Sequence, residues 1–152
     1  MKNIKIKENL FIDLPDHLDL TFQILSDYSE EEKVLCGWNG DDLQYALIVD
    51  DQPGGIDHDV YWNGLLEELY KDSDTGTVNT IASGDYKNSN AHRITYKALK
   101  TISDDEEVNH LFYLIVGETI AYWIITIFMS ATDLFKVNGE VRALVENLRL
   151  EE

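Results

Sequence analysis

Cysteine, proline and basic residues are all scarce in this 152-residue sequence. It has two prolines and a single cysteine, Cys36, which excludes an internal disulfide framework and a cysteine-rich zinc site. The chain has only 12 basic residues and 29 acidic ones, which gives a net charge of −17. Nucleic acid and an anionic membrane surface are therefore not expected as partners, because such a chain would repel their phosphates. The length predicts one domain over residues 1–152.

A long hydrophobic run is also missing. The longest, Thr119–Met129, has about half of the roughly 20 residues that a membrane-spanning helix needs. It is rich in β-branched and aromatic residues, which predicts a central, buried strand rather than membrane insertion. The first residues, Met1–Lys7, alternate apolar and charged side chains, unlike the continuous apolar stretch of a signal peptide. We therefore expect a cytoplasmic protein.

Alternating hydrophobicity and turn residues predict two groups of strands. The first group contains a short edge strand ended by proline and three further strands: Leu10–Pro15, Leu18–Leu25, Val34–Trp38 and Tyr45–Val49. Asp50–Gly55 is expected to break the sheet. The second group is a meander: Val78–Ser83, Ala91–Thr101, His110–Val116 and Thr119–Met129. Asp104–Glu107 is predicted as an exposed turn, and Gly117-Glu118 as a two-residue hairpin loop in which Gly117 is able to take a positive φ.

Two helices are predicted from apolar residues at helical spacing. Asp57 or Asp59 would cap the first helix, whose buried face would carry Trp62, Leu65, Leu66 and Leu69. The second, Ala131–Leu148, would carry a stripe of Leu134, Val137, Val141, Leu144 and Leu148. The predicted fold class is α+β, with an antiparallel meander sheet flanked by two helices in an α/β/α sandwich.

The sequence contains few residues in catalytic or metal-binding patterns. The four histidines are scattered, and only Asp57-His58-Asp59 gathers metal-ligating types, which is more typical of an acidic helix start than of a zinc site. A calcium site at Asp50, Asp51, Asp57 and Asp59 would lack the spacing of an EF-hand loop. Cys36 lies within a predicted strand among acidic residues, which favours a structural role. We expect no enzyme activity, no cofactor and no bound metal.

The aromatic residues are the more informative group. Alternation along Thr119–Met129 places Tyr122 and Ile124 on one face and Trp123 and Ile125 on the other, so both faces are apolar. One face can be covered by the second helix, and the other by the first helix or by a partner. The tyrosines of the meander that we place in an apolar partner-binding groove are Tyr96, Tyr113 and Tyr122.

Several segments together resemble the PsbP-like and Mog-like superfamily. They are Leu10–Pro15, Gly84–Tyr86 followed by Ala91–Tyr96, Gly117–Tyr122 and Val145–Leu150. The resemblance implies an antiparallel sheet between helices and mostly non-enzymatic binding roles. The superfamily includes bacterial DcrB-like proteins and Eag-type chaperones, and the chaperones hold hydrophobic segments of secreted effectors. It carries no catalytic residues over to this chain.

Three functions remain open at this point. The first is a non-enzymatic protein-binding module, such as a cytoplasmic chaperone or adaptor for a secreted effector, whose partner is a protein or a hydrophobic peptide segment. The second is an acidic immunity or inhibitor protein that binds a basic toxin, since acidic binders are steered quickly onto basic partners. The third is a small enzyme or metal-binding protein centred on Asp57-His58-Asp59. The oligomeric state, including a homodimer, is left open.

Overall fold

The computed structural model of this chain describes residues 2–14, 22–28, 33–39, 44–72, 78–103, 105–128 and 131–152. Its two helices are α1 (His58–Asp72) and α2 (Ala131–Glu146). The strands are β1 (Lys2–Lys7), β2 (Leu10–Leu14), β3 (Phe22–Tyr28), β4 (Lys33–Asn39), β5 (Gln44–Pro53), β6 (Val78–Lys87), β7 (Arg93–Ser103), β8 (Glu106–Val116), β9 (Ile120–Phe128) and β10 (Leu148–Leu150).

The strands form two antiparallel sheets. The larger has seven strands in the order β3-β4-β5-β9-β8-β7-β6, and the smaller has three in the order β1-β2-β10. The meander β6 to β9 pairs as the sequence predicts, and β5 joins it beside β9 through pairs such as Ile48 with Ile125. The α+β class with antiparallel strands and two helices is therefore confirmed. The prediction of one sheet is wrong, because the chain builds two.

The two helices lie on opposite faces of the large sheet. Alternate residues of β8 divide between two clusters: Leu111, Tyr113 and Ile115 pack with α2, whereas Phe112 and Leu114 pack with Trp62 of α1. The predicted stripe is buried at Leu134, Val141 and Leu144 of α2 and at Leu148, which belongs to β10 instead of the helix; Val137 lies outside the described side chains. The small sheet adds Ile6, Leu10 and Ile12 to the same cluster, so it covers the β5 and β9 part of the α2 face.

The small sheet contains two strands that the sequence reading missed. β2 is its central strand and not an edge strand, since β1 and β10 pair on its two sides. β10 replaces the predicted last turn of the second helix. The Asn88 side chain donates hydrogen bonds to the carbonyls of Val145 and Leu148, at 3.0 and 2.9 Å, and so binds backbone groups at the end of α2.

The junction between β5 and α1 also differs from expectation. β5 continues through Asp50 and Asp51 to Pro53, and Lys7 pairs with the Asp51 carboxylate at 2.6 Å. Gly54 and Gly55 then donate backbone hydrogen bonds to the turn that joins β8 and β9. The predicted sheet break is therefore wrong, because these acidic residues and glycines have partners there.

Two predicted turns need correction. Gly55 is the described glycine with positive φ, at 74°, and Gly117 is not. An added Cβ at Gly117 would approach side-chain ends of Glu152 and Leu150, which can move, so this contact does not require glycine. Glu106 and Glu107 belong to β8, leaving Asp105 in the turn. The first residues of predicted strand Leu18–Leu25 and the turn around residues 40–42 lie outside the described residues.

Candidate functional site

An apolar strip lies on the α1 face of the large sheet, beside α1. We define the strip as Ile48, Ile125 and Ile127. Ile48 and Ile125 are register partners, and Ile127 follows two positions along β9, so all three share one face. Helix α1 lies over β6 and β7 and, through Trp62, reaches Trp123. Ile48 and Ile125 are partly buried, and Ile127 is 48% exposed.

Trp62 fixes α1 against the sheet at the border of this strip. Its ring meets Trp123 edge-on, with ring centroids 4.8 Å apart, and Phe112 at 6.5 Å. Its Nε1–H donates to the hydroxyl of Thr95 on β7 at 2.8 Å. Buried aromatic contacts with a satisfied polar group hold a helix in one position. The strip is therefore bordered by a fixed wall.

His58, in the first turn of α1, joins the same hydrogen-bond network. Its Nδ1 lies 2.7 Å from the Thr95 hydroxyl, which can donate its proton to a neutral imidazole while accepting from Trp62. Burial lowers the pKa of His58, and nearby Arg93 lowers it further, against the opposing effect of the neighbouring aspartates. His58 is thus a neutral structural side chain that ties the helix start to β7.

A cleft of about 360 Å³ lies between α1 and strands β6 and β7. Asp85 and Arg93 form a two-point ion pair in its wall, with N to O distances of 3.1 and 2.9 Å. Lys97 lies with its ammonium 5.6 Å from the centroid of the Trp62 ring. The remaining wall includes Asp59, Asn63, Leu66 and Ser83. The cleft is therefore polar, with both signs of charge.

Sequence reasoning missed this cleft. The signal was present in β7, where Arg93, Thr95 and Lys97 alternate with Ile94 and Tyr96 and so place three polar side chains on one face. What the sequence does not show is that α1 packs across that face.

The three predicted partner-binding tyrosines do not line one groove. Tyr113 and Tyr122 are 1% and 0% exposed and belong to the core under α2, so their placement in an open groove is corrected. The Tyr122 hydroxyl donates to the carbonyl of Glu8, and burial raises the pKa of Tyr122 to about 12. Tyr96 alone is partly exposed; its ring stacks on Tyr113 with centroids 5.2 Å apart.

The residues considered for metal binding are dispersed. Asp57 and Asp59 are exposed at the start of α1, whereas His58 faces inward to Thr95. Among the described residues, no cluster of three or more His, Cys, Asp or Glu side chains could hold a metal ion. Cys36 lies in β4, opposite Leu47 of β5 in the register.

Comparisons with known proteins give a fold and no family. No family model and no curated protein sequence matches the chain. Protein PA94 of unknown function from Pseudomonas aeruginosa has a similar structure, with a TM-score of 0.59, 13% identity and coverage of 100% of this chain and 98% of that one. LpqN, involved in cell envelope biogenesis of Mycobacterium tuberculosis, matches with a TM-score of 0.60, 7% identity and coverage of 94% and 83%. At these identities the likeness shows the α+β fold alone. None of the described helices is both long enough and apolar enough to cross a membrane.

Proposed function

We propose that this protein is a non-enzymatic protein-binding module that holds an apolar segment of a partner protein against the strip of Ile48, Ile125 and Ile127. The observation that carries the proposal is the exposure of Ile127 on a strand whose other described side chains are mostly buried. Partly and fully exposed apolar side chains that share one sheet face beside a packed helix can form a contact surface for another protein. The partner would cover the part of this face that lies beside α1.

The wider proposal is a cytoplasmic chaperone or adaptor for a secreted effector, with a fold of the PsbP-like type. It rests on the sequence resemblance and on the strip. The net charge of −17 supports it, because a strongly charged carrier keeps a bound apolar segment in solution. Affinity would then come from apolar contact, while charge would govern the rate of association.

The candidate partners for the test are the proteins encoded by genes that neighbour the gene of this protein. Each is co-expressed with the chain, and an effector recovered as a soluble complex supports the chaperone function. Ile127→Asp is the test variant, since it places a charge in the strip. Phe135→Asp is the matched control, because Phe135 is a similarly exposed apolar side chain on α2. We expect at least a tenfold loss of affinity for Ile127→Asp and no loss for the control. Equal affinities for both variants would refute the strip as the site.

The excess of acidic residues favours one alternative function, an immunity or inhibitor protein that binds a basic toxin. Raising the salt from about 0.05 to 0.5 M shortens the screening length from roughly 14 to 4 Å. A complex held by the strip should lose association rate and keep most of its equilibrium affinity. A complex held by charge should lose several orders of magnitude of affinity, and the neighbouring gene would then encode a nuclease or pore toxin.

A further inference from the structure

Strand β6 ends the large sheet opposite β3, and among the described residues it pairs with β7 alone. It has ten residues, no proline and two charges, Asp85 and Lys87. Natural edge strands are usually protected from pairing by charges, prolines or bulges. Here a bulge between Thr80 and Ala82 leaves Ile81 39% exposed, but residues 82–87 continue in unbroken register with β7. Six regular residues remain as an open edge.

The α2 side of this edge is aromatic. Gly84 faces Tyr96 in the register, and a Cβ on Gly84 would lie 2.3 Å from the Tyr96 ring, so the ring lies over the strand at the position of the missing side chain. Tyr86 meets Tyr96 edge-on at 6.2 Å, and the Arg142 guanidinium lies 4.6 Å from the Tyr86 ring centroid. The side chains that border the edge on this side are therefore two tyrosine rings, and the Arg142 guanidinium also lies 5.6 Å from the Tyr96 ring centroid.

The α1 side of the same edge is polar. Ser83 and Asp85 face Lys97 and Thr95 in the register, so these β6 side chains point into the cleft under α1. Side chains alternate between faces along a strand, so a strand added to β6 would place every second residue on the rings and the others beside the cleft. The Asp85 carboxylate already accepts two hydrogen bonds from Arg93, and it would lie beside the cleft-side residue placed opposite it, from which it can accept a further one.

We propose that residues 82–87 bind an extended segment of another protein by strand addition. The segment alternates apolar residues with polar ones and has a basic residue opposite Asp85. Backbone hydrogen bonds supply much of the affinity in this mode, and alternate side chains supply the specificity. This surface lies apart from the strip, so the inference stands independently of the proposed function. A second copy of this chain is disfavoured as the occupant by the net charge of −17 on each copy.

The main measurement uses synthetic hexapeptides and the unmodified protein, so it does not depend on the folding of a variant. An antiparallel strand opposite residues 82–87 that matches both sides is acetyl-Glu-Val-Lys-Val-Thr-Val-amide. It is titrated into isotope-labelled protein, and amide shifts and hydrogen exchange are followed by NMR. We expect saturable shifts confined to β6 and its neighbours, with exchange slowed at least tenfold at alternate amides of residues 82–87.

Two control peptides and one variant sharpen the outcome. Replacing the middle valine of the peptide by proline should abolish binding, and replacing its lysine by glutamate should weaken binding at least fivefold. The Ile127→Asp protein should bind the first peptide as the unmodified protein does, which separates this site from the strip. The proposal is overturned if the first peptide produces no saturable shifts, or shifts centred on the strip. It is also overturned if the free protein sediments as a dimer whose alternate β6 amides are already protected, since a second copy would then occupy the edge.

Discussion

Replacing Leu144 by alanine should destabilise this protein more than any common surface substitution. Leu144 is 2% exposed and lies in α2, among residues from both sheets: Ile6, Ile12, Leu47, Val49, Ile124 and Leu148. It therefore joins the helix, the large sheet and the small sheet in one core. A truncation at this point removes contacts to all three.

The size of the effect follows from two contributions. Leucine to alanine removes three carbon groups, which at about 0.8 kcal/mol each lose about 2.4 kcal/mol of transfer free energy. The cavity left behind adds to this, and buried leucines span about 2–5 kcal/mol in total. We therefore expect a loss of about 2.4–5 kcal/mol for Leu144→Ala.

Urea unfolding followed by far-ultraviolet circular dichroism would measure this change. Phe135→Ala is the control on the same helix, since Phe135 is 56% exposed, and it should change the free energy of unfolding by about 0.5 kcal/mol or less. A Leu144→Ala change of that same small size would show that Leu144 is not buried between α2 and the two sheets.

Three further predictions concern glycine, metal and pH. Gly54→Ala should destabilise the protein by about 2 kcal/mol or more, since an added Cβ would lie 2.3 Å from the backbone nitrogen of Ile120. Gly64 lies on α1, where an added Cβ would have no neighbour within 4 Å, so Gly64→Ala should stabilise the protein by about 0.5–1 kcal/mol. Changes of the same sign for both variants in urea unfolding would contradict this prediction. Saturating zinc, calcium or manganese should leave the melting temperature unchanged; a saturable rise abolished by His58→Ala would reveal a metal site. Burial lowers the pKa of His110, so the unfolded chain takes up the proton first and this residue's contribution to stability falls as pH drops below about 6.5. The free energy of unfolding of His110→Asn should therefore fall less than that of the wild type between about pH 7.5 and 5.5. If the free energies of unfolding of the two proteins fall in parallel over this range, the burial of a neutral imidazole at His110 is contradicted.

The sequence predicted the elements with strong periodicity and missed those defined by long-range pairing. The α2 stripe and the meander are local patterns, and both occur where expected. β10 has three residues and pairs with β2 through positions far apart in the chain, such as Ile12 and Leu148, which are 136 positions apart. β1 differs, because it forms a local hairpin with β2, and the alternation along residues 2–7 was a signal for it. For β10 no such local signal exists. Local propensity contains no information on such a pairing.

The candidate site was predictable only in part. Alternation along β9 correctly predicts an apolar face with Ile125 and Ile127, because period two is a property of the strand itself. The burial of Tyr113 and Tyr122 was not predictable, since it depends on where α2 and the small sheet lie over the strands. The cleft beside Lys97 likewise arises from the packing of α1 across β7.

The most direct test of the binding strip is a contact measured at Ile127 itself. A photoreactive amino acid is placed at position 127, and at position 135 in a control protein, and each is irradiated in complex with the partner found by co-expression. We expect a covalent adduct from position 127 that maps by mass spectrometry to an apolar segment of the partner, and none from position 135. An adduct from position 135, or an adduct from position 127 to a charged and hydrophilic segment, would contradict the proposed function.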